Sequence, residues 1–180
     1  ECLKDLEKYQ EAIDCYKTSI DRNNEEYIPY SYKSMGVCYL KLGDFSNAID
    51  SLDKGHKDKW AYQNLGKAYF GLEKFETALE NFKKVTEIDP KYKWAYHGTG
   101  DCLFQMEQYD DALTAYESLI ERDEYYYFDA DTYHILINMS LLYHFKGEFE
   151  KANRVYKLDN GYATRKDGLW WHYCKRMSEP

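Results

Sequence analysis

Apolar and polar positions follow the same order five times along the chain, each time around an alanine. These alanines lie 30 to 40 residues apart, at Ala12, Ala48, Ala78, Ala112 and Ala152. Three residues before them stand aromatic residues, Tyr9, Phe45, Phe75, Tyr109 and Phe149. Four residues after them stand large apolar residues, Tyr16, Leu52, Phe82, Tyr116 and Tyr156. Spacings of three and four residues belong to one face of an α-helix, so each block predicts an amphipathic helix.

A second periodic block precedes four of these helices. It begins with a small residue, at Gly36, Gly66, Gly100 and Ser140, and a large apolar residue follows three positions later, at Tyr39, Tyr69, Leu103 and Tyr143. Each repeat is therefore predicted to form two helices. The small residues allow these helices to pack closely. One helix pair cannot bury its own apolar face, so neighbouring pairs must stack on it. The pattern predicts an all-α chain of about ten or eleven antiparallel helices without a sheet.

The repeats resemble the tetratricopeptide repeat (TPR) family. In the clearest copy, residues 59–92, the family's spacing is met by Leu65, Gly66, Tyr69, Ala78, Phe82 and Pro90. Further copies are expected at about 29–58, 93–126 and 133–161, with a partial copy at 1–26. The resemblance implies a right-handed superhelical solenoid of antiparallel helix pairs over residues 1–161, followed by a C-terminal capping helix within residues 162–180.

One repeat interval is shorter than the usual 34 residues. Ala48 and Ala78 are 30 residues apart, and four residues correspond to about one helical turn. The spacing therefore predicts a second helix one turn shorter, from Asp44 to about Gly55.

Another interval is longer, because Ala112 and Ala152 are 40 residues apart. The excess falls at about residues 127–132, within a run of aromatic and acidic residues. Two interpretations stay open: a longer loop that covers the repeat junction, with Asp129 or Asp131 capping the next helix, or an exposed aromatic patch that contacts a partner.

Residues 162–180 depart from the repeat pattern. Asp167 could cap a final helix whose large residues recur at helical spacing, at Leu169, Trp170, Tyr173 and Met177. Trp170 or Trp171 then covers the last repeat or contacts a partner. The chain also opens on a helical pattern, so we expect it to be part of a longer protein.

The amino-acid composition limits the classes of partner that the chain is expected to bind. The net charge of −8 gives no electrostatic reason for binding to DNA, RNA or an anionic membrane, and no apolar run is long enough to insert into a bilayer. Three of the five cysteines, Cys2, Cys38 and Cys102, share one apolar position of the repeat. Buried free thiols are typical of a reducing compartment, so we expect a cytoplasmic protein.

Catalytic patterns are missing from the sequence. The five histidines are scattered, and there is no phosphate-binding glycine loop, no nucleophile motif and no cysteine–histidine pair with metal spacing. The sequence therefore predicts a non-catalytic protein with no cofactor and no metal. Its acidic residues fall where the solvent-facing sides of helices are expected.

The TPR resemblance implies that first helices line a concave groove that holds an extended or helical segment. By position in the repeat, the groove residues are Tyr30, Lys33, Trp60, Asn64, Lys67, Phe70, Trp94, His97, Asp101, Phe104, His134 and Asn138. In the family's carboxylate clamp, which grips the C-terminal tail of heat-shock chaperones, Lys33 and Asn64 would match. Val37, Trp94 and Gly98 do not match it, so we expect no chaperone-tail binding.

Three functional hypotheses follow. The first is a scaffold that binds a protein segment with apolar side chains in this groove. The others are a structural segment of a longer solenoid in a multiprotein assembly, and a regulatory arm of an enzyme whose catalytic domain lies elsewhere. Trp60 and Trp94 occupy the same place in successive first helices, and they are either core residues or an aromatic ladder in the groove.

Overall fold

The computed structural model describes residues 2–22, 25–121 and 133–160. Within these ranges the backbone forms nine α-helices and no strand. The chain divides into two compact units, Glu1–Tyr125 and Tyr126–Pro180. The helices of the first unit are α1 (Cys2–Asp21), α2 (Ile28–Lys41), α3 (Phe45–Lys54), α4 (Lys59–Gly71), α5 (Phe75–Ile88), α6 (Lys93–Gln105) and α7 (Tyr109–Glu121). Those of the second are α8 (Tyr133–Phe145) and α9 (Phe149–Asn160).

Consecutive helices pack as pairs, as the repeat pattern predicts. In the first unit α2 packs on α3, α4 on α5 and α6 on α7, and in the second unit α8 packs on α9. In the first unit α3 also contacts α4, and α5 contacts α6, so each pair rests on the next. The first helices of these pairs, α2, α4 and α6, contact one another in order.

Helix α1 is continuous for 20 residues. It crosses Leu6 to Lys8, where the other repeats have the turn between their two helices. Leucine, glutamate and lysine all favour a helix, which agrees with the missing turn. The C-terminal half of α1 supplies Ile13 to a small core with Met35 and Cys38 of α2.

The short helix predicted near Asp44 is confirmed. Helix α3 has 10 residues, whereas the corresponding α5 has 14. The Asp44 side chain caps α3 by accepting a hydrogen bond from the backbone N–H of Asn47 at 3.2 Å. Gly55 ends α3, and a Cβ placed there would lie 3.1 Å from the backbone nitrogen of Lys33, so the early end of the helix brings its backbone close to α2.

Glycines mark close contacts between helices, both within a repeat and between successive repeats. Phe82 of α5 is 2% exposed and lies between two of these glycines. A Cβ on Gly66 would lie 2.7 Å from the Phe82 ring, and one on Gly98 of the next repeat would lie 2.5 Å from it. Both distances are shorter than real contacts, so the absence of a side chain at each position lets the ring fit.

The turn between the paired helices places one residue in the left-handed region in each of four repeats. Gly43 and Gly147 have φ of 76° and 74°, and Glu73 and Glu107 have φ of 58° and 60°. A residue with a Cβ is strained at such a φ, and glycine is not.

Replacing Glu73 with glycine is therefore expected to raise the free energy of unfolding by about 0.5–1 kcal/mol, because relief of this strain outweighs the added freedom of the unfolded chain. Glu80→Gly is the matched control, since Glu80 is an exposed residue in the middle of α5 and should lose about 1 kcal/mol. Urea unfolding of the two variants measures both changes. Equal destabilisation by the two would contradict the strain at Glu73.

The cysteines that the structure describes are free thiols. Cys38 and Cys102 are buried and Cys15 is exposed. Burial, followed by the nearby charge of Asp101, raises the pKa of Cys102 to about 12. Its thiol therefore stays protonated and serves as a small apolar side chain, as the sequence predicts for this position.

Several predicted features lie outside the described residues. They are the insertion at 127–132 with its capping aspartates, and the extension at 162–180 with its predicted capping helix. Among the helices that are described, none is both long enough and apolar enough to cross a membrane.

Candidate peptide-binding surface

Eight of the predicted groove residues lie on one side of the first helices. We call this set the first-helix face: Tyr30, Lys33, Trp60, Asn64, Lys67, Trp94, His97 and Asp101. On each helix its members are three, four or seven residues apart, which places them on the same side. His134 and Asn138 lie on α8, in the second unit.

Phe70 and Phe104 contact the second helices of their own pairs. The Phe70 ring meets the Phe75 ring edge-on at 5.3 Å, and Phe104 meets Tyr109 in the same way at 5.6 Å. Each aromatic pair joins the end of a first helix to the start of the second, so these two residues stabilise the corner of the hairpin.

Trp60 is not a core residue, since 51% of its surface is exposed. Its ring packs edge-on against Tyr92 at 5.5 Å between centroids. The Lys59 ammonium lies 5.5 Å from the Trp60 ring and 5.1 Å from the Tyr92 ring, and it pairs with Asp89 at 2.6 Å. The Trp60 ring is therefore held in place by Tyr92 and Lys59, and the rest of its surface is exposed to solvent.

Burial and the charge of Asp89 raise the pKa of Tyr92. The tyrosine hydroxyl therefore remains neutral next to the Lys59–Asp89 pair at physiological pH.

Trp94 begins a half-buried cluster on α6. Its ring lies 5.8 Å from the imidazole of His97, and the Lys93 ammonium lies 5.8 Å from the Trp94 ring. His97 Nε2 is 2.9 Å from one carboxylate oxygen of Asp101, and the Tyr116 hydroxyl donates a hydrogen bond to the other at 2.8 Å. Both Asp101 oxygens therefore have partners within the chain, whereas the sequence predicted this carboxylate as a partner for a bound segment.

Lys33 and Asn64, the two residues that match the chaperone clamp, also have partners within the chain. The Lys33 ammonium donates to Asp58 at 2.8 Å and lies 5.4 Å from the ring of Tyr30, which is 58% exposed. The Asn64 side-chain amide donates to the backbone oxygen of Trp60 at 2.9 Å. A clamp formed here would have to share the Lys33 ammonium with Asp58.

Asp58 joins two repeats through both of its oxygens. One oxygen accepts from Lys33, and the other caps α4 by accepting from the backbone N–H of Ala61 at 2.8 Å. Burial acts to raise the pKa of Asp58, but the hydrogen bonds from Lys33 and Ala61 outweigh it and hold the pKa below its ordinary value of 3.8.

The Lys33–Asp58 pair is expected to give stability that acid removes. Because the pKa is lower in the folded chain, this contribution is complete above about pH 3.8 and is lost as the pH falls through the folded value. Asp58→Asn keeps a capping side chain but removes the charge, so it should cost about 1 kcal/mol at pH 7 and progressively less toward pH 3. Urea unfolding across this pH range tests it, with Asp50→Asn at an exposed position of α3 as control. If the stability lost in Asp58→Asn is the same at pH 3 as at pH 7, the charge of the Lys33–Asp58 pair is not its cause.

Gln63 is a further groove position of α4 by its place in the repeat, and the structure buries it. It is 4% exposed, and its Oε1 is the one buried side-chain oxygen or nitrogen without a hydrogen-bond partner in the described part of the chain. It lies three residues after Trp60 and four before Lys67. The sequence shows that Gln63 has the same position in its repeat as Lys33 and His97. It does not show that Gln63 is buried.

An open pocket of about 710 Å³ lies beside α1. It is lined by Asp14, Cys15, Thr18, Ser19, Arg22 and Tyr27. These residues belong to α1 and to the segment before α2, so the pocket is separate from the first-helix face.

Comparison with known families identifies the repeats. Residues 60–92 and residues 94–123 each match a profile described as tetratricopeptide repeat. These are two of the copies that the spacing predicts, at 59–92 and 93–126.

Curated relatives match about half of the chain. RNA polymerase II-associated protein 3 of Homo sapiens is 32% identical over 89 residues, which cover 46% of this chain and 13% of the relative. Heat shock protein STI1 of Saccharomyces cerevisiae is 32% identical over 86 residues, covering 45% and 14%. Hsp70-Hsp90 organizing protein 2 of Arabidopsis thaliana is 27% identical over 88 residues, covering 47% and 15%. The chain thus spans only a small part of these relatives.

Solved structures share the fold over most of the chain. MamA has a TM-score of 0.71 at 24% identity and covers 83% of this chain and 85% of its own. YrrB, described as a TPR protein with an unusual peptide-binding site, has a TM-score of 0.69 at 20% identity and covers 97% and 87%. Together with the helix pairs, these likenesses confirm an all-α, TPR-like solenoid. Residues 60–92 and 94–123 of this chain are thus matched as tetratricopeptide repeats.

Proposed function

We propose that this chain is a non-catalytic scaffold whose first-helix face binds a protein segment carrying apolar side chains. The observation that supports this most directly is Trp60, a large aromatic residue that is half exposed although its ring is held by Tyr92 and Lys59. Trp94 occupies the same place in the next repeat and is half-buried. Rigid aromatic rings of this kind lose little entropy on binding and commonly supply much of the affinity, about 2 kcal/mol or more each.

The charges of the first-helix face favour an uncharged partner segment. Lys33 is paired with Asp58, the His97 imidazole contacts Asp101, and Lys59, next to Trp60, is paired with Asp89. A highly charged tail would have to compete with these internal pairs, whereas apolar side chains add to the aromatic surface without disturbing them.

Chaperone-tail binding is the main competing proposal. Two of the relatives carry heat-shock names, Hsp70-Hsp90 organizing protein 2 and Heat shock protein STI1. We disfavour this role because the clamp is incomplete at Val37, Trp94 and Gly98, and because the Lys33 ammonium is engaged by Asp58.

The wider context of the scaffold is also a proposal. We place it in the cytoplasm, in keeping with its buried free thiols. Two related roles are alternatives to the free scaffold: a structural segment of a longer solenoid in a multiprotein assembly, or a regulatory arm of an enzyme.

Peptides selected by phage display on the full chain test this function. We expect a selected peptide with apolar side chains to bind, and its dissociation constant to change by less than about threefold between low and high salt, because screening acts on charge pairs and not on apolar contacts. An acidic peptide that ends in a free carboxylate serves as the comparison and should not bind. Binding of the acidic peptide, with affinity that collapses in salt, would favour the chaperone-tail role. A library that yields no binder would contradict the proposed function.

A further inference from the structure

Tyr27 stands in the turn that precedes α2, and 55% of its surface is exposed. Glu25 and Glu26, which come directly before it in the same turn, are exposed as well. Among the described residues, Tyr27 is the one tyrosine that directly follows two acidic residues. An exposed hydroxyl in an irregular segment is accessible to an enzyme that has to hold the surrounding chain in its active site.

The open pocket beside α1 adjoins this tyrosine. Tyr27 and Arg22 both line it, together with the hydroxyl side chain of Ser19. Asp14 also lines the pocket, but one of its carboxylate oxygens lies 3.7 Å from the ammonium of Lys17. A guanidinium beside a hydroxyl suits a phosphate group, because both donate hydrogen bonds to its oxygens. The pocket therefore offers a place for an anion carried by the tyrosine side chain.

We propose that Tyr27 is phosphorylated by a protein-tyrosine kinase and that its phosphate then binds Arg22. This does not depend on the proposed function of the first-helix face. The phenol oxygen bonds to the γ-phosphorus of ATP, the bond from that phosphorus to the β,γ-bridging oxygen breaks, and ADP leaves. The phenol proton passes to the catalytic carboxylate of the kinase. Glu25 and Glu26 complement a kinase whose substrate-binding surface is basic.

Tyr30 provides a comparison within the same chain. It lies three residues after Tyr27 and is 58% exposed, so the two hydroxyls are equally accessible to solvent. Tyr30 belongs to α2, however, and the residues directly before it are Ile28 and Pro29. A kinase that reads acidic neighbours in an irregular segment is therefore expected to choose Tyr27 over Tyr30.

The full chain is incubated with ATP and a recombinant tyrosine kinase that accepts poly(Glu,Tyr), and mass spectrometry locates the phosphate over time. We expect Tyr27 to be phosphorylated at least about tenfold faster than Tyr30, and the combined change Glu25→Lys with Glu26→Lys to slow Tyr27 at least about tenfold. Both glutamates are exposed, so urea unfolding of this variant should match the wild type. Equal rates at the two tyrosines, no phosphate on Tyr27, or a rate that the lysine variant leaves unchanged would overturn the site.

Phosphorus NMR of the phosphorylated chain tests the contact with Arg22. The second pKa of the phosphate is about 6, and a guanidinium beside it stabilises the doubly charged form. The pKa should therefore be lower in the wild type than in Arg22→Gln, by about half a unit. Lys41→Gln is the control, because it removes a positive charge at the other end of α2, about 20 Å along the helix. The same phosphate pKa in Arg22→Gln as in the wild type would overturn the binding of the phosphate to Arg22.

Discussion

Replacing Gly100 with leucine is expected to lower the free energy of unfolding by about 3 kcal/mol, at the upper end of the usual cost of overpacking. A Cβ on Gly100 would overlap the ring of Tyr116, which is fully buried. That ring cannot easily move, because its hydroxyl is held by Asp101. Urea unfolding followed by circular dichroism measures the loss, and neighbouring repeats should lose stability together because each contributes to the next one's core.

Gln105→Leu is the matched control for this variant. It introduces the same side chain on the same helix, α6, at an exposed position, and should change stability by less than about 0.5 kcal/mol. If Gly100→Leu unfolds at the wild-type urea concentration, the close contact between α6 and α7 at Gly100 is wrong.

Removing both tryptophans of the first-helix face, by Trp60→Ala with Trp94→Ala, is expected to weaken binding of the display-selected peptide at least about 100-fold. Each ring is expected to give the partner a large apolar contact. Helical content should remain, because Trp60 is half exposed and Lys59, Asp89 and Tyr92 keep their contacts without it. Fluorescence anisotropy of the labelled peptide and circular dichroism of the variant give the two readings.

Ile88→Ala serves as the control for the double variant. Ile88 is 52% exposed at the end of α5, a second helix, so its loss removes apolar surface away from the first-helix face. Its binding should equal that of the wild type. Wild-type affinity in the double variant would refute the aromatic surface, and loss of its helical content would show that the tryptophans serve mainly to hold the fold.

The sequence predicted those parts of the fold that depend on spacing within one repeat. The repeated positions represented by Ala78, Phe82 and Gly66 could be predicted from helical spacing alone. The shortness of α3 could be predicted from the number of residues between repeats. The continuous α1 was not predicted, because its first residues fit the repeat columns. Only packing decides whether a turn forms at Leu6 to Lys8, since those residues also favour a helix.

The candidate surface was less predictable, because its contacts join residues far apart in the chain. Lys33 and Asp58 are 25 residues apart in different repeats, so their pairing depends on how far the short α3 shifts the start of α4. The bond between Tyr116 and Asp101 likewise needs the packing of α7 on α6. The burial of Gln63, which leaves its oxygen without a partner, is also visible only in three dimensions.

The position of Phe82 between Gly66 and Gly98 limits how this array can be rearranged. The ring is supplied by one repeat, but one of the two glycines against which it fits, Gly98, belongs to the next repeat. Suppose that this repeat is moved, or that a consensus repeat is inserted after residue 92. The repeat that then follows needs a glycine at the position of Gly98, because any side chain there would clash with the Phe82 ring. In protein engineering, residues 59–92 and the helix that follows them should therefore be transferred as one piece.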